Sequence, residues 1–413
     1  MRRLAFVLFA VVFVGPLRAE EPAKEFFFKP NDRIVFLGDS ITQQYQYSSY
    51  IELYLTTRMP KGNFVFLNAG IGGDTANGGA GRFQNDVLSE KPTAVTINFG
   101  MNDAGYGAFD ANRNKVYVEK TTAMLAAAKA AGVRVALVSP NAVDRRGRPN
   151  FKRYVETQKE FYAPLKEIAE KGGAAFADQY AITRVALEKM EADKADKVVP
   201  FGDGFHTASP GGLLMAHAIL TGLGAPALVS DASIDAMAKT ATGEKCKIEN
   251  LTVEAETVSF DRTDEALPLP VQPDWVSILP YVNDLKDLNH YGLKVKGLKQ
   301  GIWGIHVGGQ LVTKVSADAL EQGVNLGTAT TGPIHAQGQK VLNAINAKNG
   351  IVAGRFFGVR MFNAPEWLID APTAADRKAA ELKKRLADID AKQAEIYKLV
   401  QPATWKFELK MEK

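Results

Sequence analysis

Four apolar residues in succession, Ile34 to Leu37, stand between Asp32-Arg33 and Gly38-Asp39. An uninterrupted apolar run of this length, closed by a turn former, reads as a strand buried on both faces of a parallel sheet. Comparable runs lie at 64–68, 94–99, 134–139 and 174–177. Helical spacing of apolar positions appears between them, near 48–58, 81–88, 115–131 and 154–171. A further helix is expected from Pro210, with Ser209 as its N-cap. This alternation over 28–230 predicts an α/β domain of three layers, α/β/α, with a flavodoxin-like, five-stranded parallel sheet. Right-handed crossovers then bring the carboxyl ends of all strands to one rim, where ligands gather in such folds.

Beyond Gly224 the texture changes. Short alternating runs with Gly-Gly and Asn-Asp turns predict a small β-rich domain over 245–330. From 334 to 413 the pattern is helical again. There Leu382, Leu386, Ile389, Ile396 and Val400 form a stripe at helical spacing, interrupted by Gln393. The stripe is expected to dock on the segment 341–351 of the same chain, away from Ser40. A dimerising coiled coil is the rival, but the run falls short of three to four heptads. The oligomeric state stays open.

Residues 1–19 carry the pattern of a secretory signal: Arg2 and Arg3, an apolar stretch from Leu4 to Val14, then Leu17-Arg18-Ala19 as cleavage site. The stretch is short for a bilayer span, so no stable membrane anchor is expected and the mature chain would be secreted or periplasmic. Loss of Arg2, Arg3 and Arg18 lowers the formal charge from +4 to +1. That balance supports no nucleic-acid partner. Cys246 is the single cysteine, which excludes an intramolecular disulfide and a cysteine-ligated zinc site.

The strand ends carry small and polar residues. After the first comes Gly38-Asp39-Ser40-Ile41. A serine at that place can attack a carbonyl if a base and an oxyanion hole accompany it; otherwise Asp39 and Ser40 merely cap a helix. After the second comes Gly70-Ile71-Gly72-Gly73-Asp74-Thr75, and after the third Gly100-Met101-Asn102-Asp103. Glycine N–H groups, the Asn102 amide and the Ser40 N–H would make three donors for an oxyanion, although each segment alone is ordinary turn chemistry. Of the five histidines, His206 alone has an acid at a useful spacing in this domain, Asp203 in Asp203-Gly204-Phe205-His206. An acid there can orient the ring of a general base.

These four blocks, in this order, resemble the GDSL-type or SGNH esterases and lipases, with Ile41 where many members have leucine. The resemblance covers about half the chain. It implies ester hydrolysis without a metal or other cofactor, with Ser40 as nucleophile, His206 as base and Asp203 as its acid. It also implies an oxyanion hole of Ser40 N–H, Gly73 N–H and the Asn102 side chain, with Gly72 or Gly70 as alternatives to Gly73. The substrate is expected to be a small-molecule or glycan ester, most simply an acetylated carbohydrate. Tyr106 and Phe109, in the loop after Asn102, could line its pocket. A lysophospholipase or lipase is an alternative. So is a non-catalytic glycan-binding protein that stacks sugars on Trp275, Tyr281 and Trp303. A metal-dependent phosphatase built on Asp39 and Ser40 would need a ligand cluster for which histidines are too few.

Overall fold

The computed structural model describes residues 25–147, 149–362 and 373–412; the expected signal segment lies outside them. The first half runs β1 (Arg33–Gly38), α1 (Ser40–Gln43), α2 (Gln46–Arg58), β2 (Val65–Gly70), α3 (Ala76–Asp86) and β3 (Ala94–Asn98). It continues with α4 (Ala111–Ala130), β4 (Arg134–Val138), α5 (Lys152–Tyr162), α6 (Pro164–Gly172), β5 (Ala175–Ala177), α7 (Gln179–Ala192) and α8 (Ser209–Gly222). The five strands form one parallel sheet in the order β2-β1-β3-β4-β5, the flavodoxin-like order. Helices α2, α7 and α8 pack together, and α3, α4 and α6 pack together, giving the three expected layers. Ile34, Val35, Phe36 and Leu37 are all buried, as a strand covered on both faces requires.

The register sets the rim. Gly38 of β1 pairs with Gly70 of β2 and with Asn98 of β3. The three chains therefore leave the sheet at one level, and the order of the strands reverses between β1 and β3. Ligands bind at such switch points.

Local expectations fail in three places. The helix expected at 81–88 begins earlier, at Ala76. Asn-Gly-Gly has poor helix propensity, but Thr75 caps the turn and Asp103 accepts the Ala76 N–H at 2.9 Å. The helix expected over 154–171 is two helices, because Pro164 starts a new one. Ser209 is the first residue of α8 and not its cap; the cap position is Ala208. The Ser209 hydroxyl instead meets the Tyr50 hydroxyl (2.8 Å) and accepts the Trp275 indole N–H (3.0 Å).

The second half holds β6 (Leu228–Asp235), β7 (Thr240–Glu244), β8 (Cys246–Val253), β9 (Thr257–Asp264), β10 (His290–Lys296), β11 (Ile302–Val307) and β12 (Gln310–Ser316). Then come α9 (Ala317–Gln322), β13 (Val324–Asn325), α10 (Pro333–Arg355), α11 (Ala374–Leu399) and β14 (Thr404–Met411). Two sheets result, β13-β10-β6-β7 and β12-β11-β14-β9-β8. The expected division at 245–330 and 334–413 is corrected by this pairing. β6 starts before 245, and β14, from the expected helical region, inserts between β11 and β9. Among the described residues no helix is long and apolar enough to cross a membrane.

Helix α11 packs on α10, with Ile389, Ile396 and Val400 buried. Gln393, which interrupts the stripe, is buried too, and its Oε1 accepts from Lys348 Nζ at 3.1 Å. Lys348 reaches on to Glu52 of α2, both fully buried. Burial pushes the Glu52 carboxyl up and the Lys348 amine down, and their mutual attraction opposes both shifts. Glu90 makes a second tie, accepting two bonds from Arg355 (2.7 and 3.1 Å) and another from Arg360. Removing one member of a buried ion pair strands the other charge. Lys348→Ala should thus lower unfolding stability by about 3–5 kcal/mol in urea titrations. Glu52→Leu combined with Lys348→Met should recover most of the loss. A single-variant loss below about 1 kcal/mol would show that the pair is not a buried tie.

Candidate active site

Helix α1 begins where β1 ends. Asp39 caps it, its Oδ1 accepting the Ile41 N–H at 2.9 Å, so the capping expectation holds for Asp39. Ser40 is the first helical residue, with its N–H outside the helical ladder and its hydroxyl free for other work. Gly38 is required just before: a Cβ there would lie 2.1 Å from Thr42 Oγ1 and 2.7 Å from the Asn98 carbonyl oxygen.

Ser40 Oγ lies 2.7 Å from His206 Nε2, and His206 Nδ1 lies 2.8 Å from Asp203 Oδ2. Asp203 Oδ1 accepts the backbone N–H groups of Phe205 (3.2 Å) and His206 (2.8 Å). Burial alone would raise the Asp203 carboxyl. The bonds from the His206 ring and from these two N–H groups outweigh it and hold Asp203 below the usual carboxylate range. An ionised carboxylate only accepts, so Nδ1 carries the ring proton and Nε2 faces the serine as an acceptor. The histidine and aspartate side chains are 33% and 35% exposed, so this is an open site and not a sealed chamber.

The glycines of the loop differ in their bonding. Gly70 N–H donates to Asn68 Oδ1 (2.8 Å) and Gly72 N–H to Gln43 Oε1 (2.5 Å). Among the described residues no acceptor takes the Gly73 N–H. Gly73 has φ +75°, a left-handed turn with open space where a side chain would stand. Asn102 is fastened to the next residue, its Nδ2 donating to the Asp74 carbonyl oxygen at 2.9 Å. The structure thus brings Ser40, Asp203 and His206 into one hydrogen-bonded chain, and ties Asn102 to the Gly73 loop.

Several braces were invisible in the sequence. Gln44 Oε1 accepts the Thr207 N–H and hydroxyl (3.1 and 3.2 Å), tying the histidine loop to the serine helix. Asn141 Nδ2 donates to the Phe205 carbonyl oxygen at 3.2 Å. Arg82 binds Asp74 Oδ2 (2.8 Å) and the Gly38 carbonyl oxygen (3.3 Å). Of the two loop aromatics, Tyr106 stands beside Asn102, whereas Phe109 packs edge-on to Phe161. Of the three aromatics in the glycan-binding alternative, Trp275 and Trp303 are fully buried and serve the core, whereas Tyr281 is partly exposed. Two of the other histidines meet acids from outside the 28–230 segment, His217 Nε2 lying 2.9 Å from Asp287 and His290 Nε2 3.3 Å from Asp231, both partners distant in sequence.

Comparison with known proteins decides the family. Residues 36–211, which contain all four blocks, match the GDSL-like lipase/acylhydrolase family. Residues 36–211 form a GDSL-like domain. An acetylxylan esterase of Geobacillus stearothermophilus is 23% identical over 214 residues, 47% of this chain and 94% of the relative. An uncharacterized lipoprotein of Bacillus subtilis is 40% identical over 77 residues, 17% of this chain and 32% of that one. A gut microbial diltiazem-metabolizing enzyme of known structure shares the fold well beyond the GDSL-like half. The similarity covers 93% of this chain and 98% of the other, with TM-score 0.78 and 25% identity. This GDSL-like half is an esterase domain, and the second half accompanies it in that neighbour.

Three carboxylates lie close together beneath the GDSL-like site. Burial pushes the Asp39 carboxyl up to about 7; the Ile41 N–H opposes this, and the nearby charges of Asp103 and Asp74 add to it. Burial likewise pushes Asp103 up to about 6, against the N–H bonds from Ala76 and Gly100. An acid raised on folding holds its proton in the native state after the unfolded chain has released it. Stability contributed by Asp39 therefore falls as pH rises from about 4 to about 7. The loss of melting temperature between pH 5 and pH 7.5 should be smaller in Asp39→Asn, which keeps the capping oxygen. An identical loss in both proteins would contradict a protonated Asp39.

Proposed function

We propose that this chain is an exported serine ester hydrolase that removes short acyl groups, most simply acetyl, from carbohydrate esters. The observation that carries the reading is the continuous chain from Ser40 Oγ through His206 to Asp203. His206 Nε2 takes the hydroxyl proton as Ser40 Oγ attacks the ester carbonyl carbon. The developing oxyanion faces the Ser40 N–H, the Gly73 N–H and the second N–H of Asn102 Nδ2, whose first is spent on Asp74. His206 then returns the proton to the leaving alcohol, and an acyl-enzyme remains. Water repeats the cycle, giving the acid and restoring Ser40. Asp203 stays ionised and steadies the imidazolium formed in each half.

Substrate class rests on the openness of the site and on the relatives. A triad whose histidine and aspartate are about one-third exposed suits an acyl group displayed on a polymer better than a long chain that must be buried. The acetylxylan esterase relative supports a short acyl group. Export rests on Arg2, Arg3 and the apolar stretch that follows, and the lipoprotein relative is consistent with it.

The test is turnover on 4-nitrophenyl esters of increasing chain length, acetylated xylan fragments, diltiazem and a lysophospholipid. Acetyl esters should be preferred, and Ser40→Ala should lose activity by at least about a thousandfold without unfolding. Asn102→Ala should lower kcat by roughly a hundredfold with little change in KM. Undiminished turnover in folded Ser40→Ala would overturn the nucleophile, and a preference for long chains or the lysophospholipid would overturn the substrate class.

A further inference from the structure

Tyr106 sits four residues after Asn102, in a backbone conformation rare for a bulky residue, with φ +59°. Such conformations persist only where the surroundings over-determine them, and they concentrate at functional sites. The surroundings here are aromatic. The Tyr106 ring lies 5.0 Å from Phe151 at 28° and 5.2 Å from Phe205 at 33°, with Tyr154 edge-on at 5.8 Å. Phe205 in turn lies 4.4 Å from the His206 ring. From this fixed ring the hydroxyl donates to Asn102 Oδ1 at 2.7 Å.

A primary amide has two faces that differ only in which end carries hydrogens. At Asn102 the Asp74 carbonyl can only accept, so it selects Nδ2. The Tyr106 hydroxyl holds the oxygen at the opposite end. With both ends fastened, one N–H of Asn102 keeps a fixed direction. With the Tyr106 bond removed, only the single bond to Asp74 remains and the amide swings about it. Donors to a developing oxyanion work by being in place before charge appears. We propose that Tyr106 is a positioning residue, which locks the Asn102 amide and so aims its remaining N–H at the oxyanion. This inference rests on the oxyanion role of Asn102 proposed above.

The experiment is a double-mutant cycle on full-length protein with 4-nitrophenyl acetate, using Tyr106→Phe, Asn102→Ala and both together. Tyr106→Phe keeps the ring and loses the hydroxyl. It should lower kcat by about three- to tenfold and leave KM within about twofold. In the Asn102→Ala background the same change should have almost no further effect, since the amide it steers is gone. A purely structural tyrosine would reduce activity equally in both backgrounds. Circular dichroism and melting temperature report folding. If the phenylalanine variant does not fold, Tyr106→Trp serves, because it keeps an aromatic platform without that hydroxyl. The proposal is overturned by an unchanged kcat, by an effect on KM alone, which would make Tyr106 a substrate contact, or by full additivity. Normal kcat in Asn102→Ala would instead defeat the oxyanion role itself, and activity in Ser40→Ala the whole reading, so the failures are distinguishable.

Discussion

A 2.7 Å hydrogen bond between Ser40 Oγ and His206 Nε2 joins residues 166 apart in sequence. Neither side chain belongs to a long rigid element. Ser40 opens a four-residue helix, and His206 sits in the loop before α8. Holding the bond therefore falls to the surrounding polar contacts. Gln43 ties the serine helix to Gly72, Gln44 ties it to Thr207, and Arg82 bridges Asp74 and the Gly38 carbonyl. The Gln43 and Arg82 braces join the ends of β1 and β2, and the Gln44 brace joins the serine helix to the loop before α8. The parallel sheet supplies the common level at which those loops emerge.

The second half of the chain bears on the sheet from outside the rim. Lys348 pairs with Glu52 on α2, and Arg355 with Glu90 in the turn before β3. Tyr397 of α11 accepts the Phe64 N–H at 2.7 Å, just ahead of β2. The β-rich part is closed on itself by Arg262. Its guanidinium binds Asp264 on its own strand, Ser230 of β6 and the Gly292 carbonyl of β10, and covers the Tyr291 ring at 4.0 Å. A buried cation with all these partners links the two sheets of the second half. Charges fully enclosed in this way are costly when a partner is lost.

Apolar runs such as 34–37 and 94–99 were legible because a doubly covered strand leaves no polar face. The serine, glycine and asparagine blocks were legible because each comes at the end of such a run, and the histidine block because Asp203 stands three residues before His206. Contacts between distant side chains were not. Nothing near Gln44 in sequence points to Thr207, and nothing near Lys348 points to Glu52. Gln393 read as a flaw in a hydrophobic stripe until its buried oxygen proved to serve Lys348. Trp275 could be read as core or as a sugar platform because sequence carries no burial for an isolated aromatic, and it is core. Strand β14 was missed because the short run Thr404–Met411 alternates polar and apolar positions next to a long helix. Its place between β9 and β11 is set by partners more than a hundred residues away.

The central claim is that Ser40 is the nucleophile and His206 its base. The most direct measurement is covalent labelling with a 4-nitrophenyl phosphonate, followed by intact mass and peptide mapping. The account predicts one adduct per chain, placed on Ser40, and labelling slowed by orders of magnitude in a folded His206→Ala protein. An adduct on another residue, or labelling of His206→Ala at the parent rate, would contradict it.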